Sequence, residues 1–319
     1  MRRWIATRAG FLRKELFLER NHDPSRAALV LGSGRSGTTW LAEALARQHR
    51  SRLLFEPFHP RLGAMGEGTR LFLDPAERPP AFEQAAHRVL SGRARGPYID
   101  HLRIARLPRG RVVKDVHASN LLAWFRTNYP AVPVVYVVRH PIAASLSRLR
   151  SDVFYGLGDY LETRSGREDA ERSPVAKWLP RYDARRAHSE PLVRLVAEWC
   201  IENVCALERR ECRGVALTFY EHAVQDPASE LTRLGKFCAE ALGPADAAEI
   251  GRLRRPSAMD WRRTAAEASA SDDWARHLGR WANEVQPSVV EQCLLVLSEF
   301  GLDRLYGEDP LPAPGAKQL

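Results

Sequence analysis

A glycine- and hydroxyl-rich loop is the part of the sequence best suited to bind a phosphate group. Residues 32–39 read Gly-Ser-Gly-Arg-Ser-Gly-Thr-Thr. Glycines let the backbone approach an anion closely, and the N–H groups at the start of a following helix point toward it. The spacing from Gly32 to Gly37 is close to the P-loop pattern G-x-x-x-x-G-K-[ST]. Thr38 stands at the lysine position, however, so the cation of the loop is Arg35. Three hydroxyl groups are further candidate phosphate ligands: Ser36, Thr38 and Thr39.

Short apolar runs alternate with helix-forming segments along the chain and predict an α/β fold. An apolar run at 27–31 precedes the loop, and helix formers follow it from Trp40 onward. The run at 133–138 is apolar almost throughout, as expected for a central parallel strand that is buried on both faces. We therefore expect a three-layer, P-loop-like fold in which helices flank a central, mostly parallel sheet.

Polar side chains follow two of the predicted strands at the point where each strand ends. Glu56 follows one short apolar run, and a second run ends in Lys114, Asp115 and His117. In an open α/β sheet, ligands bind outside the carboxyl ends of the strands. We therefore expect these four side chains near the site of chemistry.

The composition favours a single domain that binds anionic molecules. The 319 residues carry a formal net charge of +9 and have a pI of about 9.6. Such a charge favours nucleotides and sulfated or phosphorylated glycans as partners. We expect no nucleic-acid partner and no metal site, and the sequence leaves the oligomeric state open. The predicted boundaries are a domain at 26–306, substrate-facing insertions at about 61–110 and 151–190, and a disordered tail at 307–319.

The sequence predicts a soluble, cytoplasmic protein. Its five cysteines are odd in number and lack C-x-x-C spacing, which fits a reduced compartment. No apolar stretch reaches the ~18 residues of a membrane span, and the N-terminus has no apolar signal core. Residues 1–25 are predicted to form an amphipathic helix, with apolar and basic side chains mixed over 2–20. Two interpretations of this helix stay open: contact with an anionic membrane surface, or packing against the domain.

Two stretches of the chain resemble the sulfotransferases that use 3'-phosphoadenosine 5'-phosphosulfate (PAPS). Residues 34–40 resemble the family's 5'-phosphosulfate-binding loop, including Trp40 after the double threonine. Residues 137–148 resemble its 3'-phosphate-binding motif, with Arg139 and Ser147 eight positions apart. The resemblance implies that these residues bind the two ends of PAPS.

A third stretch is similar to a C-terminal Gly-x-Trp element of the same family. It covers residues 278–284 and includes Arg280, which the resemblance places near the cofactor. Together the three stretches imply a PAPS-dependent sulfotransferase that moves a sulfuryl group to an acceptor hydroxyl and needs no metal. The chain is closer to carbohydrate-type and bacterial members than to the cytosolic small-molecule type.

The separation of the two predicted anion sites supports this interpretation. Arg139 at a strand end and a serine one or two helical turns onward can clamp a phosphate apart from the loop. A ligand with phosphates at both ends needs two such sites, whereas a triphosphate does not. ATP chemistry also normally uses a P-loop lysine and Mg²⁺. A P-loop small-molecule kinase and a non-catalytic protein that binds polyanions or membranes remain as alternatives.

The catalytic roles are less well determined by the sequence. Arg35 is the candidate for stabilising the leaving phosphate. Carbohydrate-modifying members resemble this chain around Glu56, which implies that Glu56 is the general base. In small-molecule members a histidine two residues after a lysine has that role, but His117 is displaced by one position and is expected on the opposite face. Asp115 is a further alternative, and Lys114 either assists the sulfuryl oxygens or pairs with the glutamate.

The predicted acceptor is a hydroxyl on a sugar, glycan, glycolipid or glycosylated metabolite. The Glu-Pro element at Glu56, the basic surface and the arginine-rich insertions favour it. A dry pocket for a steroid or phenol would carry a denser apolar and aromatic lining than residues 61–110 offer.

Overall fold

A five-stranded parallel sheet forms the centre of the protein. The computed structural model describes residues 19, 21–64, 70–102, 104–105, 107–151, 156–208, 214–250, 274–314 and 316. Within these ranges every neighbouring pair of strands runs parallel, which confirms the expected α/β class. The strands are β1 (Ala27–Gly32), β2 (Arg52–Phe55), β3 (Arg111–Asp115), β4 (Val134–Val138) and β5 (Val215–Phe219).

The order of the strands fixes where a ligand can bind. The sheet has the order β2-β3-β1-β4-β5, so the chain leaves β1 toward one edge and later returns to its other side at β4. The carboxyl ends of β1 and β4 therefore border the crevice at the topological switch point. The glycine-rich loop after β1 lies at this crevice.

Helices cover both faces of the sheet. One apolar cluster contains Leu29 and Leu31 of β1, and a second cluster contains Ala28 and Val30 of the same strand. Both faces of β1 are thus buried, which explains its continuous apolar run. The described helices are α1 (Thr38–Gln48), α2 (Pro80–Leu90), α3 (Leu122–Asn128), α4 (Pro141–Leu149), α5 (Leu157–Leu161), α6 (Arg164–Arg172), α7 (Leu179–Arg186), α8 (Pro191–Glu208), α9 (Tyr220–Gln225), α10 (Pro227–Leu242), α11 (Ala247–Ile250), α12 (Trp274–Gly279) and α13 (Pro287–Glu299).

The N-terminal segment is tied to the sheet just before β1. Most of the helix predicted at 1–25 lies outside the described residues. Of its last part, residues 21–23 are not helical and Pro24–Arg26 form a short 3-10 turn. The carboxylate of Glu19 pairs with the buried guanidinium groups of Arg52 and Arg111, at 2.8 and 2.9 Å. These arginines begin β2 and β3, on the side of the sheet opposite the crevice.

The segment predicted as a disordered tail makes contacts with the domain in its described part. Residues 307–314 and 316 form no regular element, but they pack against the domain. Ala316 is buried in the main apolar cluster, and Ala313 N–H donates to the carbonyl of Leu305 at 2.8 Å. Burial of apolar side chains holds this segment, although its composition is rich in proline and glycine.

The predicted insertions are also more regular than expected. The first contains α2. The second, at 151–190, contains α5, α6 and α7, and its Tyr160 and Tyr182 are buried in the core. The described part of this segment therefore contributes to the core. Among the described helices, none is both long and apolar enough to cross a bilayer.

The close packing of β1 against β4 gives a test of the fold at Gly32. A Cβ atom added at Gly32, whose φ is +149°, would lie 2.3 Å from the carbonyl oxygen of Val137. Gly32→Ala should therefore lower the free energy of unfolding by about 1–3 kcal/mol in a urea titration. Gly307→Ala is the matched control, because nothing lies within 4 Å of its added Cβ. Equal stabilities of the two variants would contradict this packing.

Candidate active site

The loop after β1 and the N-terminus of α1 form a cradle at the crevice. Gly37 caps α1 with a left-handed φ of 83°, and no side chain caps the helix. The first backbone bond of α1 is donated by the N–H of Leu41, so the preceding N–H groups have no acceptor within the helix. A Cβ at Gly37 would lie 2.4 Å from the ring of Tyr220. Glycine is needed here both for its φ and for its lack of a side chain.

The two predicted anion-binding stretches meet at this cradle. Arg35 Nε donates to Ser147 Oγ at 3.0 Å, and Arg139 Nη1 donates to the carbonyl of Arg35 at 2.9 Å. Arg35 has a left-handed φ of 66°, which is uncommon for a residue with a side chain. These bonds place Arg35 of the loop, Arg139 at the end of β4 and Ser147 of α4 beside one another. The sequence predicted both halves of the site, but not their direct contact.

Arg139 retains a donor that suits an anion. Its guanidinium carbon lies 4.5 Å from the centre of the Tyr220 ring, which fixes the side chain by a cation–π contact. Its Nε atom is buried and has no hydrogen-bond partner among the described residues. A buried donor without a partner costs free energy, so an anion that accepts this bond gains affinity. The groups present thus fit a phosphate at this position.

Other residues of the predicted cofactor site have different surroundings. Ser36 is buried, and its hydroxyl lies 2.8 Å from that of Ser33. Thr38 and Thr39 begin α1, and Trp40 packs its half-buried ring against the apolar cluster under that helix.

The C-terminal element contacts the end of β4 rather than the loop. The exposed side chain of Arg280 pairs with Glu284, with Nε 2.7 Å from the carboxylate. Trp281 is buried and stacks on the ring of His140, with centroids 4.4 Å apart. The observed contact of this element with the site is thus made by its tryptophan.

A second group of polar side chains lies where β2 and β3 end. Glu56 directly follows β2 and adopts a left-handed φ of 42°. One of its carboxylate oxygens accepts a hydrogen bond from Lys114 Nζ, and the other accepts one from the hydroxyl of Tyr98 at 2.5 Å. His117 Nε2 lies 3.8 Å from the second oxygen. Two roles were open for Lys114, and the structure shows its ion pair with Glu56.

The charges of this cluster are set by burial and by the lysine. Burial alone would raise the pKa of Glu56, but the charges of Lys114 and His117 and the hydrogen bonds from Lys114 and Tyr98 lower it from 4.5 to about 2. Burial lowers the pKa of His117 to about 3, against the opposing effect of Glu56. Near neutral pH the glutamate is therefore ionised, and the histidine is neutral.

The position of His117 corrects one expectation from the sequence. Strand β3 ends at Asp115, so the alternation of a strand does not extend to His117. Asp115 is fully buried, and its two carboxylate oxygens accept hydrogen bonds from the N–H groups of Phe58 and His117, at 2.7 and 2.8 Å. Burial and the nearby Glu56 raise the pKa of Asp115 to about 7. This residue shapes the turn that brings His117 to Glu56.

Three residues of the site were not identified individually from the sequence. Tyr220 follows β5 and contacts Gly37 and Arg139, whereas Tyr98 lies in an irregular segment and contacts Glu56. Arg148 is buried and donates to the carbonyl of Gly34 at 3.2 Å. All three contact residues far away along the chain, so no local spacing predicts them.

A comparison with protein families gave one match. The sequence matches the model of a protein family described as the sulfotransferase family over residues 28–243, about two thirds of the chain. A search of curated protein sequences returned no match.

Two solved structures resemble the fold at low identity. Mouse sulfotransferase SULT7A1, complexed with PAP, is 17% identical with a TM-score of 0.45, and the match covers 86% of this chain and 84% of that one. The sulfotransferase domain from the curacin biosynthetic pathway is 17% identical with a TM-score of 0.42, over 86% and 96% of the two chains.

The lowered pKa of Glu56 predicts a pH-dependent contribution to stability. Its folded pKa of about 2 lies below the usual 4.5, so its contribution is present above pH 4.5 and is lost as the pH falls toward 2. At neutral pH Glu56→Gln should lower the free energy of unfolding by about 3 kcal/mol. The difference from the parent protein should shrink below pH 4.5 in urea titrations.

Glu168→Gln is the matched control, because Glu168 belongs to an exposed pair with Arg164 on α6. This variant should unfold like the parent protein at every pH. A Glu56→Gln effect that stayed constant between neutral pH and pH 3 would contradict the assigned charge state.

Proposed function

Because the chain belongs to the sulfotransferase family, we propose that it transfers the sulfuryl group of PAPS to a hydroxyl of a carbohydrate, glycolipid or glycosylated metabolite. The observation that carries the donor assignment is the buried Nε of Arg139, which has no partner among the described residues and lies beside the loop after β1. An ATP-dependent kinase would have no need of this second anion site. When bound, PAPS supplies the sulfuryl group. The S–O bond to the 5'-phosphate breaks, and its electron pair stays on the phosphate oxygen.

The donor site consists of the cradle and the end of β4. The N–H groups of Gly37, Thr38 and Thr39 and the side chain of Arg35 bind the 5' end by charge-assisted and backbone hydrogen bonds. Arg139 binds the 3'-phosphate. Arg35 stabilises the charge that develops on the departing phosphate, because its guanidinium is already held in place through Ser147.

Glu56 and His117 act together on the proton of the acceptor hydroxyl. Neutral His117 accepts this proton, and the carboxylate of Glu56, 3.8 Å away, stabilises the resulting imidazolium. Lys114 and Tyr98 hold the carboxylate in position from its other sides. Burial lowers the pKa of His117, and an anionic donor bound nearby would raise it, because negative charge favours the protonated ring.

Donor binding is tested by calorimetric titration. The parent protein should bind 3'-phosphoadenosine 5'-phosphate more tightly than ATP with Mg²⁺. Arg139→Ala should weaken the binding of this bisphosphate about 10- to 100-fold, since a hydrogen bond to a charged group contributes about 1.5–3 kcal/mol. Adenosine 5'-phosphosulfate lacks the 3'-phosphate and should lose far less affinity.

The control for this variant is Arg164→Ala, which removes an exposed arginine of α6. It should leave both affinities unchanged. Tighter binding of ATP with Mg²⁺ by the parent protein would favour a kinase, and equal losses for the two nucleotides in Arg139→Ala would place the 3'-phosphate elsewhere.

The joint role of Glu56 and His117 is tested by single and double substitution. Radiolabelled PAPS is offered with a panel of glycosides, and turnover is measured on the best acceptor. Glu56→Gln and His117→Gln should each lower kcat by about 100-fold or more. The double variant should be no slower than the slower single variant, because residues that act as one unit are not additive.

His87→Gln, an exposed substitution on α2, should leave kcat unchanged. If His117→Gln also left kcat unchanged, Glu56 would act as the base without the histidine. Losses that multiply in the double variant would show two independent roles.

A further inference from the structure

The backbone of Arg35 adopts a conformation that its neighbours must hold in place. Its φ of 66° lies in the left-handed region. This conformation costs an L-residue with a side chain about 1–2 kcal/mol. The turn also sets the direction in which the side chain leaves the loop. The contacts that stabilise this turn therefore position the guanidinium that we assign to the departing phosphate.

Two guanidinium groups bind the peptide carbonyls on either side of the Arg35 Cα atom. Arg148 Nε donates to the carbonyl of Gly34 at 3.2 Å, and Arg139 Nη1 donates to the carbonyl of Arg35 itself at 2.9 Å. Peptide groups are planar, so the orientations of the two planes that flank a Cα atom define its φ and ψ. The two bonds together hold the left-handed turn.

The contacts of Arg35 differ in their access to the donor. Arg139 lies beside the loop at the crevice, and its buried Nε is assigned to the 3'-phosphate. Ser147, which accepts a bond from the Arg35 side chain, belongs to the same predicted phosphate motif. The side chain of Arg148 is only 1% exposed, so this residue binds the loop from inside the protein. The contact from Arg148 can therefore persist when the donor binds.

Two glutamates of α8 compensate the charge of Arg148. Its Nη2 forms an ion pair with Glu202, and its Nη1 lies 3.9 Å from Glu198 Oε1. Burial would lower the pKa of Arg148, but the charges of the two glutamates raise it, so the guanidinium stays charged. Because these carboxylates compensate its charge, we expect Arg148 to contribute little to the attraction of an anionic donor.

We propose that Arg148 is a positioning residue of the sulfuryl transfer, which holds the turn at Arg35 from the interior so that the Arg35 guanidinium stays directed at the departing phosphate. The inference rests on the proposed sulfotransferase function. The charge that Arg35 stabilises develops only as the S–O bond breaks, so a misplaced Arg35 slows the chemical step more than it weakens binding. Loss of the Arg148 contact lowers kcat and leaves the donor affinity nearly unchanged.

Arg148→Lys tests this division between kcat and affinity. Lysine keeps a positive charge beside the glutamates, but its single ammonium group cannot bind both the loop carbonyl and α8 in the geometry of a guanidinium. With radiolabelled PAPS, kcat should fall about 10- to 100-fold, as expected for a displacement of about 1 Å. The affinity for 3'-phosphoadenosine 5'-phosphate should stay within a few fold. A parent-like kcat would overturn the inference, and so would an affinity loss as large as the loss of kcat.

Glu202→Gln is the matched control, because it changes the other partner of Arg148. The amide oxygen of glutamine still accepts a bond from the guanidinium, and the bond from Arg148 to the loop is retained. This variant should keep kcat within a few fold of the parent value. Equal losses of kcat in Glu202→Gln and Arg148→Lys would show that Arg148 acts through α8 and not through the loop, and the inference would fall.

Combination with Arg35→Gln tests whether Arg148 acts through Arg35. The single variant lacks the guanidinium that the turn positions, so the addition of Arg148→Lys should lower kcat little further. A general role of Arg148 in the stability of the fold would instead make the two losses multiply. Multiplied losses would therefore overturn the assignment.

Hydrogen exchange of backbone amides gives a measurement that needs no acceptor. In Arg148→Lys, amides of residues 33–39 should exchange faster than in the parent protein, with and without 3'-phosphoadenosine 5'-phosphate, because the loop has lost a contact. Equal exchange in the loop would overturn the inference. If the parent protein did not bind the nucleotide, the proposed function would fail. If it bound the nucleotide and transferred sulfate, and Arg148→Lys kept the parent kcat, only the positioning role would fall.

Discussion

The site depends on the contact between the loop after β1 and the segment after β4. These two strands are neighbours at the switch point of the sheet, so the chain that follows each of them enters the same crevice. Hydrogen bonds from Arg139 and Arg148 to backbone carbonyls of the loop, and from Arg35 to Ser147, join the two segments. These hydrogen bonds stabilise the loop. The cradle is preorganised, and a bound donor does not have to order it.

A different balance of forces shapes the cluster at the ends of β2 and β3. Burial opposes the charge on Glu56, while Lys114 and the hydroxyl of Tyr98 favour it, and the favourable contacts prevail. The same burial keeps His117 neutral. Burial disfavours the charged form of both groups, but only for Glu56 do neighbouring contacts outweigh it, so an ionised carboxylate and a neutral histidine lie side by side at one pH. Asp115 stabilises the turn between Glu56 and His117 through two hydrogen bonds. The sequence did not indicate this structural role.

The sequence predicted those features that depend on local spacing. The apolar runs of β1 and β4, the glycine loop and the polar strand ends of Glu56 and Lys114 all follow from residues close together in the chain. Contacts between distant segments were not predictable. Examples are the contact of Tyr220 with Gly37 and the hydrogen bond from Arg148 to the carbonyl of Gly34. Helix α6 was missed because it is polar throughout: only Gly166, Asp169 and Ala170 of this helix are buried. A helix with so narrow a buried face lacks the apolar periodicity on which such predictions rest.

The anchoring of the end of β4 connects the donor site to the last part of the chain. The backbone N–H of His140, next to Arg139, donates to Glu221, whose second oxygen accepts from the hydroxyl of Tyr306. The ring of His140 stacks on Trp281 and bonds to the carbonyl of Gly307, 167 positions later. During synthesis on the ribosome, His140 thus lacks these contacts until residue 307 has emerged. A chain that ended before residue 281 would lack the contacts of His140 with Trp281 and Gly307, so the end of β4 would be held less firmly in it.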